Sequence, residues 1–348
     1  VVVAVDANGA DMGPAEVGAG AALAAEQGVR VLLFGPADQL VGMPPGVEVV
    51  DAPVSVAKSP DPAAAVRSHP DSSIVQATRA LADGRARALV CAGGTGAALA
   101  ASLFNVKRAR GVHRPALALP IPVPGPTSTH PVTLLDVGAN TQARAEHLVQ
   151  FAFMGAAFAT AVLGVPEPRV GLLSNGEEAE RGSPLVVAAR AELERRARDG
   201  TLRFVGGVEG VDVVGGAADV IVTDGFTGNV ALKLMEGVSQ TMLGAVRSAA
   251  MSSTRGKLGG MLLRPSLRTL RDELDPEAHG GAYLLGLRGL AVIPHGRFSR
   301  RGFAQAILRA ERGVREDVVG ATHSALSDAG ALRSVPVSAN PASLAVEQ

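Results

Sequence analysis

The segment DGFTGNVALK, Asp224 to Lys233, sets an amide and an ammonium, Asn229 and Lys233, four residues apart just after the apolar run Val220 to Thr223. A strand that ends in a glycine-hinged polar turn and restarts as a helix is where α/β proteins hold ligands, because the first N–H groups of the helix lack intrahelical partners. With a helix beginning near Asn229, Lys233 lies one turn along on the same face, so a donor and a cation flank its entrance. Asp224 can orient Lys233 or a water. An asparagine cap beside a solvated lysine is the competing use of the same residues.

The same grammar recurs. In CAGGTGA, Cys91 to Ala97, a strand gives way to an Ala-rich helix, and Gly93, Gly94, Thr95 and Gly96 can bring backbone N–H groups close to a phosphate. A tight turn with close helix packing explains them equally. In DVGAN, Asn140 can donate to an anion whereas an ionised Asp136 only accepts, and both also suit loop braces. His295 in IPHG can hold phosphate, shuttle a proton or serve structure alone, and His147 lies within the helix expected after Asn140. Lys58 and Arg67, around AKSPDPAAAVR, are the remaining cations to aim at an anionic ligand, unless they only face water.

These residues need a scaffold that delivers strand ends to a rim. Val1 to Val5 and Val29 to Phe34 read as strands around a helix from Pro14 to Gln27, and Ser73 to Asp83 reads as a helix leading to the strand at Ala88. Strands alternating with helices predict parallel pairing through right-handed crossovers. Their continuous apolar runs predict helices on both faces, hence a three-layer α/β/α sandwich of Rossmann-like type. The proline-rich stretch His113 to Pro126 reads as a rigid connection between lobes. Residues 1–333 form one catalytic unit or two lobes, with a helical hairpin over about 235–280, and residues 334–348 read as a loose tail.

Several functions are disfavoured. The 33 basic and 33 acidic residues give no net charge, and aromatics make up 3%, so neither a positive field nor stacking platforms favour nucleic acid. GxGxxG is absent from the first loop, where Asp6 and Asp11 would repel a pyrophosphate, and no Gly-Lys-Ser/Thr follows CAGGTGA. Carboxylates, histidines and the single cysteine, Cys91, show no convincing ligand spacing, so metal independence is expected. One cysteine and an opening strand without a charged leader set the expectation of a cytoplasmic protein. Phe151 to Val165 is shorter than the roughly 20 residues of a membrane span and fits a buried helix.

Taken in order, AVDANGADMGP, CAGGTGA, LLDVGAN with EHLVQFAFMG, RVGLLSNGEE, FVGGVEG, DGFTGNVALK and HGGAYLLG with the later HG pair resemble the phosphate acyltransferase family of bacterial phospholipid synthesis, the PlsX family. The resemblance runs almost end to end. It implies a fold similar to isopropylmalate dehydrogenases and phosphotransacetylases with a protruding helical hairpin, a homodimer, and no organic cofactor. It also implies transfer of an acyl group from acyl carrier protein to inorganic phosphate, and delivery of the acyl phosphate to the membrane glycerol-3-phosphate acyltransferase. The chain departs from the family pattern at Gly94, where Asn is usual, at Cys91, where Ser is common, at Asn8 and Ala10, where Met and Gly are usual, and at Arg181, where Lys is common.

On this reading a phosphate oxygen attacks the thioester carbonyl directly and expels the carrier's thiolate. The enzyme then mainly positions the reactants and stabilises the oxyanion. Backbone donors at Gly93 to Gly96 with Asn140, Asn229 and Lys233 are the candidates for that work, and His295 for holding phosphate. In KLGGMLLRPSLRTLRDEL, the residues Leu258, Leu262, Leu267, Leu270 and Leu274 keep helical spacings interrupted by Pro265, and Lys257, Arg264, Arg268 and Arg271 add a basic face. Such a segment can lie on the inner face of the cell membrane, receive an acidic carrier or bury itself in the dimer. Rival readings are a coenzyme A phosphotransacetylase, a nicotinamide dehydrogenase and a noncatalytic membrane adaptor.

Overall fold

The computed structural model describes residues 1–123, 130–273 and 275–333, and describes no side chains over 269–274. The expected tail at 334–348, part of the proline-rich stretch and the side chains of Leu270, Arg271 and Leu274 lie outside the described residues.

The order along the chain is β1 (Val2–Asp6), α1 (Pro14–Glu26), β2 (Arg30–Gly35), β3 (Val47–Asp51), α2 (Pro62–Ser68), α3 (Ser73–Ala82), β4 (Ala88–Cys91), α4 (Thr95–Asn105), β5 (Ala116–Ile121) and β6 (Val132–Leu135). It continues with α5 (Ala145–Leu163), β7 (Val170–Leu173), α6 (Pro184–Ala197), β8 (Phe204–Val208), β9 (Val220–Val222), α7 (Gly225–Met251), α8 (Thr254–Glu273), β10 (Ala282–Leu285), β11 (Leu290–Ile293), α9 (Arg300–Arg315) and α10 (Val318–Asp328).

All eleven described strands join one sheet in the order β3-β2-β1-β4-β11-β10-β5-β6-β9-β7-β8. Pairing is parallel from β3 to β11 and again from β6 to β8. The pairs β11–β10, β10–β5 and β5–β6 are antiparallel. This corrects the expectation of parallel pairing throughout: the sheet is two parallel halves running in opposite directions. The supposed lobe connection is corrected too, since Ala116–Ile121 forms a strand at the centre of the sheet. Its short alternating residues fit there because β10 and β6 flank it on both sides.

Alternation along each strand feeds two cores. Val3 and Val5 of β1 belong to one core with Val17 of α1, Phe151 of α5 and Ile307 of α9, while Ala4 belongs to the other, which contains Val66 of α2, Ile74 of α3 and Ala97 of α4. Both faces are therefore apolar and covered, which gives the three layers. Helix α5, the described helix long and apolar enough to cross a membrane, is mostly buried, with Leu148, Phe151, Met154 and Phe158 fully enclosed.

Helix α7 behaves differently. Of its side facing the body only Gly225 and Gly228 are buried, and beyond Met235 it runs out from the sheet and turns back as α8. Gly228 is required by contact: a Cβ there would overlap the Asp136 carbonyl oxygen. Pro265 sits inside α8 and does not end it, which corrects the interruption expected at that position.

Candidate active site

Three strand ends of the first half, β1, β4 and β11, meet α7 across a crevice of about 550 Å³. Gly93, Gly94 and Thr95 line it at the start of α4, Lys58 lines it from the segment after β3, and Asn229 and Lys233 come from α7. His295 follows β11, and Leu117, Leu119, Val137 and Leu232 form an apolar wall. The chain thus brings together most of the anion-seeking residues expected from its motifs, at one end of a crevice whose other end is apolar.

Gly94 is the N-cap of α4, and a Cβ there would overlap the Ala57 carbonyl oxygen. The backbone approach leaves no side chain at this position without movement of the Ala57 loop, so any contact from here comes from main-chain N–H groups. Gly96 packs on Pro62 one residue into the helix and does not line the crevice.

Lys233 brings a cation to the crevice from α7. Its Nζ lies 2.9 Å from Glu236 Oε2 and 3.3 Å from His295 Nε2. The His295 ring is fixed on its other sides: the Arg297 N–H reaches Nδ1 at 3.2 Å, and Phe298, itself buried, stacks at 6.3 Å between ring centroids. Burial first, and then the Lys233 ammonium, hold the His295 pKa below its ordinary value, so the imidazole is neutral near pH 7. A neutral imidazole has one acceptor nitrogen and cannot accept from both Arg297 and Lys233. In the tautomer whose Nδ1 accepts from Arg297, the Nε2–H and the ammonium are two neighbouring donors, an arrangement that an anionic oxygen bridging both would satisfy.

Other expected site residues have different tasks. Asn140 is buried, and its amide donates at 2.7 Å to the Pro115 carbonyl and at 2.8 Å to Asp136 Oδ2, so both hydrogens are used outside the crevice. The loop-brace use holds for this side chain, and its expected place among the oxyanion donors is corrected. Asp224 caps α7, accepting from Phe226 N, Thr227 N and Thr227 Oγ1 at 2.7–3.0 Å. The helix therefore begins at Gly225, earlier than expected, and Asp224 does not orient Lys233. Arg67 stacks over the Phe104 ring at 4.7 Å and does not line the crevice. His147 sits in the first turn of α5, where its Nδ1 accepts from the Arg144 N–H at 3.2 Å.

His113, Glu146 and His147 place ligand atoms within 4.8 Å of one another. Burial depresses both histidines, Glu146 opposes that effect on each, and neighbouring Arg108, Arg114, Arg144 and Arg333 add to it. The Arg144 N–H bond to His147 Nδ1 suits a helix cap and occupies that ring nitrogen.

On the hairpin, Lys257, Leu258, Leu262, Arg264 and Arg268 are exposed, and Leu262 retains 75% of its accessible surface. The reading that motifs alone missed comprises Glu236, the Phe298 platform and the apolar wall from β5. Glu236 was visible as an i, i+3 partner of Lys233, whereas the wall depends on which strands neighbour β5.

The fold is that of the phosphotransacetylases. A phosphotransacetylase from Streptococcus pyogenes superposes with a TM-score of 0.60 at 15% identity, over 90% of this chain and 94% of that one. The EutD phosphotransacetylase from Staphylococcus aureus gives 0.58 at 16% identity over the same shares. The model of the family described as fatty acid synthesis protein matches residues 1–320. The phosphate acyltransferase of Heliobacterium modesticaldum is 40% identical over 328 residues, covering 92% of this chain and 96% of its relative. That of Desulforudis audaxviator is 42% identical over 334 residues, covering 94% and 96%. The chain belongs to the phosphate acyltransferase family, which places it among the acyltransferases, with phosphate as the substrate the family implies.

Beneath the crevice, Asp6 at the end of β1 is buried and receives the Asn8 N–H at 3.1 Å, with Cys91 Sγ 3.5 Å away. Burial pushes Asp6 from 3.8 up to about 6, and pushes the Cys91 thiol well up, which leaves that sulfur unreactive. Because the folded state holds the Asp6 proton more tightly than the unfolded chain, its stabilising contribution is full below about pH 4 and is lost as pH rises toward 6, by about 3 kcal/mol. Urea unfolding of Asp6→Asn across that range is expected to lose this component of the pH slope. A slope equal to that of the parent protein would mean that Asp6 ionises normally in the fold.

Proposed function

We propose that this protein transfers the acyl group of a long-chain acyl-acyl carrier protein to inorganic phosphate, giving acyl phosphate and free carrier. The observation that carries this reading is a single crevice with a donor-and-cation end, formed by the start of α4, Lys58, Lys233 and His295, beside an apolar wall of Leu117, Leu119, Val137 and Leu232. A phosphate oxygen attacks the thioester carbonyl, the new C–O bond forms, and the C–S bond breaks with its electron pair leaving on the thiolate. Phosphate is already anionic at neutral pH, and a thiolate leaves without obligatory protonation. Positioning and oxyanion stabilisation therefore carry the rate. The acyl phosphate feeds the membrane glycerol-3-phosphate acyltransferase in phospholipid synthesis.

The proposal extends to assembly and place. Val230, Leu234, Val238, Met242 and Val246 follow one another at four-residue steps along α7 and are 46–66% exposed. Such a stripe is costly in water and suits the same face of a second copy, so the working form is a homodimer. Leu258, Met261 and Leu262 on α8, with Lys257, Arg264 and Arg268 nearby, suit reversible contact with an anionic surface. The protein accordingly works in the cytoplasm, at times on the inner face of the membrane. Each basic residue adds about 1 kcal/mol there.

The direct test follows acyl carrier and acyl phosphate together by mass spectrometry, with and without inorganic phosphate. Phosphate-dependent formation of both in equal amounts is expected, with kcat/KM lowered roughly 10²–10³-fold by Lys233→Ala. Turnover of acyl coenzyme A in place of the carrier thioester would change the donor to coenzyme A, and silence with both would end the enzymatic reading.

Sedimentation of the Val238→Asp, Met242→Asp double variant is expected to give monomers where the parent gives dimers. An unchanged dimer would move the interface off this stripe.

In vesicle pelleting, binding to anionic vesicles should weaken with salt and with Arg264→Glu, Arg268→Glu. Equal retention on neutral vesicles at high salt would contradict electrostatic attachment.

A further inference from the structure

Glu236 presents a physical puzzle. It lines the crevice, and its carboxylate is only a third exposed, yet it lies against the cation that is to meet a phosphate. A carboxylate near an anion site opposes ground-state binding of that anion. As an i, i+3 pair on a helix whose partner Lys233 is 53% exposed, it also contributes little to stability. Its geometry accounts for its presence. Lys233 has a long, flexible stem, and Glu236 holds the ammonium at 2.9 Å while His295 Nε2 lies 3.3 Å from the same nitrogen.

Resting on the proposed acyl transfer to phosphate, we infer that Glu236 is a positioning residue. It acts through Lys233 and fixes the ammonium beside His295, where the two donors converge on one oxygen of the reacting phosphate or of the developing oxyanion. Asp224 was the carboxylate expected to orient Lys233, but it is committed to the cap of α7. Glu236, one turn beyond Lys233, does that work instead.

A residue that weakens ground-state anion binding while aligning a donor for the transition state has a distinctive kinetic signature. Glu236→Gln should lower kcat about 10-fold, while KM for phosphate stays level or falls. Glu236→Asp should recover part of kcat. Adding Glu236→Gln to Lys233→Ala should cost nothing beyond the single lysine variant. A parallel rise in KM, an unchanged kcat, or additive losses would overturn the assignment. A second readout is independent of the acyl donor. In the full-length protein, the ¹³C signal of reductively methylated Lys233 should shift on addition of inorganic phosphate, and in Glu236→Gln it should move to the position of a mobile lysine before any phosphate is added. A Lys233 signal insensitive to both changes would sink the inference. If the signal responds but neither acyl carrier nor acyl coenzyme A thioester is consumed, the proposed transfer fails while the positioning stands.

Discussion

The Asp136 carboxylate holds the site in place. It receives five N–H donors, from Leu117, Gly138, Ala139 and Asn140 of the backbone and from the Asn140 amide, at 2.7–3.2 Å. Burial pushes its pKa up while those donors favour the charged form, and with every donor directed at its two oxygens the ionised state is the one that fits. This one side chain ties β5 to the end of β6 and folds the turn that follows. That turn in turn fixes α7, because the Gly225 N–H donates to the Asn140 carbonyl at 2.8 Å and Gly228 packs on the Asp136 carbonyl. Losing a partner in such a buried network would leave several N–H groups unsatisfied at once.

From there, the position of Lys233 follows from helix geometry. Asp224 sets the first turn of α7, and two further turns carry Lys233 across the antiparallel centre of the sheet to the end of β11, where His295 waits. The reversal of strand direction makes this possible. In a uniformly parallel sheet the helix after β9 would start on the same edge as the helix after β4, side by side with it. With the halves opposed, α7 rises toward the strand ends of the other half and closes the crevice against the start of α4. The apolar wall is formed in the same way, since β5 lies between the halves and turns Leu117 and Leu119 toward the opening.

What was legible in the sequence follows from what is local. The boundaries of β1, α1, β2 and α3 agree with the apolar runs and Pro or Ser starts, as at Pro14 and Ser73, because those signals act over a few residues, whereas β3 was not among the strands expected. Likewise Gly93 to Thr95, Asn229, Lys233 and His295 were legible because each follows a strand end. Asn140 and Arg67 were misjudged because a polar side chain beside a loop has the same signature whether it faces a ligand or a neighbour. Only the Pro115 carbonyl and the Phe104 ring, distant in sequence, decide the matter. The antiparallel centre was illegible for a similar reason: ALALPI reads as apolar and proline-bearing, and nothing within it reveals β10, which arrives some 160 residues later, as its neighbour.

The balance of charge in the crevice bears on turnover. Lys58, Lys233 and Arg297 are offset by Asp11, Glu236, Asp275 and Glu277, and the imidazole stays neutral. A deep, wholly basic pocket would bind phosphate and acyl phosphate alike and would lower KM without raising kcat. Carboxylates at the rim weaken both equally, whereas a fixed pair of donors, the His295 Nε2–H and the Lys233 ammonium, is worth most where charge concentrates on one oxygen during the reaction. A site with this balance of charge grips the transition state and holds its ends loosely. The sequence pattern that seats Lys233 between a carboxylate and an imidazole has that consequence built into it.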